Sequence, residues 1–264
     1  MTITISSRWF ALLPLLLMFG CGGDEGVTRI GLPKPLKEIS GLAQFGNDLI
    51  AIADEKARIY RISFANQTVE RIGAFGDKPI KGDFEGIAAN THSIYVVTSD
   101  GLLYRRSIEA QDEVFDKVDT GLGALCEIEG LELQDDLAYI LCKTPLDESL
   151  VGSLNIFVWN VANNERLESQ DLTVPWSALG LGETRNGDLH PSALATVDGG
   201  FLILAAREKR WLVISARGEY LRGGKLPNRK SHPQAEGLAV FGGATYIADE
   251  GKKHGTVTRY EGGL

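Results

Sequence analysis

Five short segments of this 264-residue chain resemble one another, and their spacing constrains the fold more than any single residue does. They read "EISGLA" (38–43), "DFEGIA" (83–88), "EIEGLE" (127–132), "HPSALA" (190–195) and "QAEGLA" (234–239). Aligned on the residue before the small one, they place Ser40, Glu85, Glu129, Ser192 and Glu236 in equivalent positions. The intervals are 45, 44, 63 and 44 residues. Three nearly equal spacings and one longer one describe five copies of a single unit, with an insertion in the third.

Each unit reads as four strands. The opening segment is followed by a turn such as "GND", "NTHS" or "QDD", then by "LIAIADE", "IYVVTSD", "AYILCK", "FLILAARE" or "TYIADE". Third strands are "RIYRIS", "LLYRRS", "NIFVWN", "RWLVIS" and "TVTRYE", and fourth strands "TVERIGAF", "EVFDKVDT", "RLESQDLT" and "EYLRGGKL". β-branched and aromatic runs between Gly, Asn and Asp turns are strand signals, and no segment carries a helical period. Four-stranded units of about 45 residues are the blades of a β-propeller. The expected fold is therefore all-β, a five-bladed β-propeller. Six blades is the alternative, if the 63-residue interval hides a degenerate one. The fifth copy ends without a fourth strand, and "VTRIGLPKP" (27–35) is the candidate to supply it. The mature N-terminal strand would then close the ring and remove an open edge.

The start of the chain stands outside this pattern. Residues 9–19 form an apolar run behind Arg8, too short for the roughly 20 residues that span a bilayer. It has the proportions of a signal-peptide core. Gly20–Cys21 resembles the lipobox of bacterial lipoproteins, in which the cysteine is lipidated and becomes the new N-terminus. An ordinary signal peptide or an uncleaved anchor is the alternative. The expected organisation is a signal peptide over 1–20, a lipidated Cys21 and tether over 21–26, and the propeller over 27–264. Gly22 after the cysteine resembles the outer-membrane sorting signal of Gram-negative cells. Cys126 and Cys142 flank a turn centred near residue 134, so in an exported protein they are expected to form a disulfide across that hairpin.

Geometry answers why an acid precedes the glycine. First strands converge on the central channel, where crowding favours Gly and Ala. Glu85, Glu129 and Glu236 then gather at one mouth. The ends of the second strands, with Asp54, Asp100, Lys143, Glu208, Asp249 and Glu250, lie at the same face. Clustered carboxylates either take up protons or are neutralised by a cation. Calcium, which takes 6–8 oxygen ligands, suits such a mouth. The same acids as solvated rim residues are the competing reading. His190 and His232, each before a proline and a first strand, are expected near the mouth, as turn residues or as bases. Trp159 and Trp211 read as packing residues. Trp176 lies in a loop over 175–190 that is a candidate cover for the mouth.

The order of "EISGLA…IADE", "DFEGIA", "HPSALA…REKRWLVI" and "QAEGLA…YIADE" resembles the SdiA-regulated (YjiK-like) family, over roughly residues 30–261. The resemblance implies a five-bladed propeller, distantly similar to NHL-repeat proteins, with a calcium site. A more distant likeness is to gluconolactonase-type propellers, which hold a divalent metal on a glutamate followed by glycine. Glu85, Glu129 and Glu236 match that pattern. Ser40 and Ser192 depart from it, as does Lys143.

Two functions follow from these features. One is a monomeric, membrane-anchored envelope protein that binds calcium and a small molecule or protein partner. The other is a metal-dependent lactone or ester hydrolase, with Asp54, Asp100, Asp249, Glu250, His190 or His232 as candidate bases. The net charge of −8 argues against nucleic acid as a partner. There is no GxSxG, P-loop, HExxH or CxxC motif.

Overall fold

A computed structural model describes residues 26–109, 114–180 and 189–264. The expected signal peptide, Cys21 and most of the tether lie outside the described residues. The chain forms five antiparallel sheets arranged as a five-bladed β-propeller. Blade one contains β2 (Ile39–Phe45), β3 (Asp48–Ala53), β4 (Lys56–Ser63) and β5 (Thr68–Ala74). Blade two contains β6 (Phe84–Ala89), β7 (Ser93–Thr98), β8 (Leu102–Ser107) and β9 (Asp116–Asp119). Blade four contains β15 (Ala193–Val197), β16 (Gly200–Ala205), β17 (Arg210–Ser215) and β18 (Tyr220–Lys225).

Ring closure follows the sequence reading. In blade five, β19 (Ala235–Phe241), β20 (Ala244–Asp249) and β21 (Thr256–Glu261) are completed by β1 (Val27–Gly31). β1 pairs antiparallel with β21, from Val27 opposite Tyr260 to Gly31 opposite Thr256. First and last strands of the described chain thus share one sheet, which covers the edge that β21 would leave open.

Blade three departs from the expected pattern. Behind β10 (Cys126–Gln134), β11 (Leu137–Pro145) and β12 (Ser153–Asn160), the outer strand is split. "RLESQDLT" does not run as one strand. It breaks into β13 (Glu165–Arg166) and β14 (Leu172–Pro175) around a 3-10 turn at Glu168–Gln170. Asp171 explains the break: its Oδ1 accepts from the Val158 N–H at 2.7 Å, taking a ladder position with a side chain. Its Oδ2 accepts from Arg166 Nε and Nη2. The β10–β11 turn lies at Asp135–Asp136, one residue beyond the expected centre. Cys142 therefore stands opposite Ile128. The disulfide to Cys126 forms all the same, across a diagonal with a Cα–Cα distance of 5.7 Å.

Inner strands touch in the cyclic order β2, β6, β10, β15, β19 and back to β2. Buried residues fall into five clusters, one between each pair of neighbouring blades. Ile52, Phe75, Phe84 and Tyr104 fill the seam between blades one and two. Trp159 and Trp211 pack in seams, as expected of them. Trp176 packs on the seam between blades three and four. Residues 181–188 of the expected cover lie outside the described residues.

Candidate functional site: the acidic neck of the channel

The repeated acid occupies a special backbone position. In β2, β6, β10 and β19 the register shifts by one residue, at Ser40, Glu85, Glu129 and Glu236. Each is the unpaired residue of a β-bulge, a device that turns a side chain away from the pleat. The following glycine is sterically required. A Cβ on Gly86 would stand 2.6 Å from the Leu131 backbone nitrogen, and one on Gly41 2.9 Å from that of Ile87. Bulge and glycine together turn three glutamates and one serine into the channel.

Glu85, Glu129, Glu236 and Ser40 line one small cavity at this neck. Its volume is about 10 Å³, room for a water or a bare ion and too little for an organic molecule. Burial, reinforced by the charge on Glu129, pushes the Glu85 carboxyl up to about 9. Burial likewise pushes Glu129 up to about 8, against the pull of Lys143. Glu250 lies just outside, hydrogen-bonded to Glu236. Burial and then the Glu236 and Asp54 charges push it up to about 7. Burial also raises Asp54.

One positive group answers these acids from within. Lys143 Nζ stands 2.7 Å from Glu129 Oε1, and the Glu129 side chain is only 3% exposed. Lys143 is the residue that departs from the acidic pattern at the end of a second strand, and the departure supplies the neck with an ammonium group. Two buried oxygens there remain without a hydrogen-bond partner, Glu129 Oε2 and Ser40 Oγ. Ser192 differs from Ser40: its hydroxyl donates to the Ala235 carbonyl at 2.7 Å and accepts from the Ala206 N–H. As the side chains stand, no three His, Cys, Asp or Glu groups among the described residues converge closely enough to hold a metal ion.

The candidate bases separate into three environments. Asp249 and His232 are buried, the latter fully, and neither lines the neck cavity. His232 Nδ1 lies 2.6 Å from Asp249 Oδ2 and its Nε2 2.5 Å from the Tyr260 hydroxyl. This relay ties the loop before β19 to β20 and β21, next to the closing strand. His190 is partly exposed at the rim. Its Nδ1 is 2.9 Å from Glu208 Oε1, and Arg207 Nη1 stands 3.1 Å from its Nε2. Glu208 was legible only as a strand-end residue, yet together with Arg207 it fixes how this histidine is oriented. Asp100 is exposed and accepts from the Thr98 hydroxyl. Asp54 accepts from the Glu55 N–H.

No protein-family model matches the chain, and neither does any curated protein sequence. Solved structures do match it in fold. Glutaminyl cyclase of Myxococcus xanthus superposes with a TM-score of 0.59 at 15% identity, covering 89% of this chain and 94% of that one. The PQQ-bound aldose sugar dehydrogenase of Streptomyces coelicolor gives 0.56 at 13% identity, covering 89% and 98%. Streptogramin B lyase gives 0.51 at 10% identity, covering 89% and 97%. At such identities these likenesses establish the fold alone.

Proposed function

We propose that this chain is an exported, lipid-anchored propeller of the bacterial cell envelope, with a calcium site at the neck held by Glu85, Glu129 and Glu236. Its role is to bind a ligand or partner. The observation that carries this reading is the neck itself. Three carboxylates and a hydroxyl surround a cavity of about 10 Å³, which admits an ion and excludes an organic substrate. The donors fit a hard cation: all are oxygens, and Glu129 Oε2 and Ser40 Oγ lack any other partner. A bound calcium ion would supply the positive charge that this carboxylate group lacks. Lys143, flexible and 34% exposed, would leave Glu129 when the ion enters. The resemblance to the SdiA-regulated family supports the same assignment. The disulfide supports export, and anchorage rests on Gly20–Cys21.

A metal-dependent lactone or ester hydrolase is the second reading. The observation in its favour is the His190–Glu208 pair at the rim, an oriented imidazole on the mouth side of blade four. That imidazole's other nitrogen is engaged by Arg207, which makes binding the preferred reading.

Calcium titration calorimetry tests the assignment on the chain from Gly22 onward, which retains every strand of the ring. The parent is expected to bind saturably, and E85Q, E129Q and E236Q to lose that binding. A folded parent that binds no calcium would remove the metal from the assignment. For the anchor, Cys21→Ser is expected to move the protein from the membrane to the soluble fraction.

A further inference from the structure

The opposite end of the channel breaks the repeat at a single residue. Three positions after the bulge, the inner strands carry Ala43, Ala88, Glu132, Ala195 and Ala239. All four alanines are buried. The fold therefore accepts a methyl group at this level in four blades and has no packing need for a carboxyl in the fifth. Glu132 opens onto a cavity of about 580 Å³ at the far mouth, within the range that small organic ligands occupy. One wall is apolar, formed by Phe45, Ala89, Ile108 and Leu133. Arg61 stands at its edge, already paired with Asp48 at 2.6 Å. With that pair neutral, Glu132 is the uncompensated charge of the cavity among the described residues.

Glu132 is held by neutral donors alone among the described residues. Its Oε1 accepts from the Thr196 hydroxyl at 3.2 Å, the Leu133 and Thr196 backbone N–H groups also donate to the carboxylate, and no cation among the described residues is paired with it. Burial pushes its carboxyl up to about 7. An acid held this way gains from a donor placed beside it, and a cationic nitrogen gains most.

We propose that the far mouth is a second binding site, distinct from the acidic neck, which takes an amphiphilic amine: its ammonium or N–H on Glu132, its apolar body against Phe45, Ala89, Ile108 and Leu133. Volume, a one-sided apolar wall and a single acid in place of a repeated alanine agree on that class. An anion would meet Glu132 head-on. A purely apolar molecule would desolvate the carboxylate further without adding a donor to it.

The test uses 1-naphthylmethylamine, with 1-naphthylmethanol and 1-naphthoate as neutral and anionic counterparts. Each is titrated into the chain from Gly22 onward and followed by amide chemical shifts. The amine is expected to bind saturably, shifting Ala88, Leu133 and Thr196, and to bind about tenfold more tightly than the alcohol, as a charge-assisted hydrogen bond predicts. Glu132→Ala restores the residue of the other four blades and is expected to fold. It should bind amine and alcohol alike. Three results would overturn the proposal: no saturable amine binding at millimolar concentration, shifts confined to other surfaces, or an amine preference that survives in E132A. Should E132A melt far below the parent, Glu132→Gln keeps the side-chain length and reads the same preference.

Discussion

Lys143 Nζ and Glu129 Oε1 form the one ion pair that reaches the neck of the channel among the described residues, at 2.7 Å. It joins the second strand of blade three to the bulge of its first. Glu129 is buried and lies among other carboxylates, so the pair is a requirement more than a bonus. Removing the lysine strands a buried acid. At pH 9, where Glu129 has given up its proton, Lys143→Met is expected to destabilise the metal-free protein by roughly 1–3 kcal/mol, less than for a fully buried pair because the ammonium is partly solvated. Adding Glu129→Gln should recover most of that loss. Urea melts of the two single variants and the double variant check it, and purely additive losses would show that the two groups do not act as a unit.

The acids of the neck also set a pH dependence. Glu85 and Glu129 are raised from 4.5 to about 9 and about 8, chiefly by burial. Between the unfolded value and these folded values the native state holds protons that the unfolded chain releases. Stability then falls as pH rises. The contribution is complete below about 4.5 and is lost as pH climbs through about 8 to 9. In chelator, the urea midpoint is expected to fall steadily from pH 5 to pH 9, with a shallower slope in E85Q. A midpoint that rises over that range would contradict the protonation of these groups.

The disulfide is a separate contribution. Cys126 and Cys142 close a 16-residue separation within one hairpin. In the chain-entropy account, a loop of about 15 residues is worth about 3 kcal/mol. Reduction, or the double Ser variant, is expected to lower stability by about that amount while keeping the fold. Intact mass with and without reductant should differ by about 2 Da, consistent with one bridge per chain. Equal masses would mean free thiols.

Blade count, strand order and ring closure were legible in the sequence because they rest on repetition. A five-fold pattern survives local noise, as it did in blade three, where Asp171 replaces part of the outer strand. The grouping of Glu85, Glu129 and Glu236 was legible for the same reason, as was their place at a channel mouth. What repetition cannot convey is how a single departure is used. Lys143 reads as a missing acid, and only the fold places its ammonium on Glu129. Ser40 and Ser192 read alike, yet one hydroxyl is unpartnered in the neck and the other is spent on backbone groups. His190 and His232 share a "HP" context, but one lies at the rim and the other is sealed beneath Tyr260. Such differences arise from side-chain contacts within and between blades, which no local pattern encodes.

The glycine after each bulge carries the most direct steric prediction. In blade four this position is Ala193, so the ring tolerates a methyl group in one of its five places. In blade two it does not. A Cβ on Gly86 would approach the Leu131 nitrogen to 2.6 Å and the Leu131 Cβ to 2.7 Å, and a backbone atom cannot swing aside as a side chain does. Gly86→Ala must therefore push β6 away from β10 at the neck. The expected cost is about 1–3 kcal/mol, typical of overpacking a close-packed interior. Gly31→Ala in the closing strand is the matched control, since a Cβ there meets nothing within 4 Å. It is expected to change stability by less than about 0.5 kcal/mol. Thermal melts of the two variants compare them directly. Equal stability of G86A and the parent would mean that the inner strands are not packed as tightly around the neck as this geometry requires.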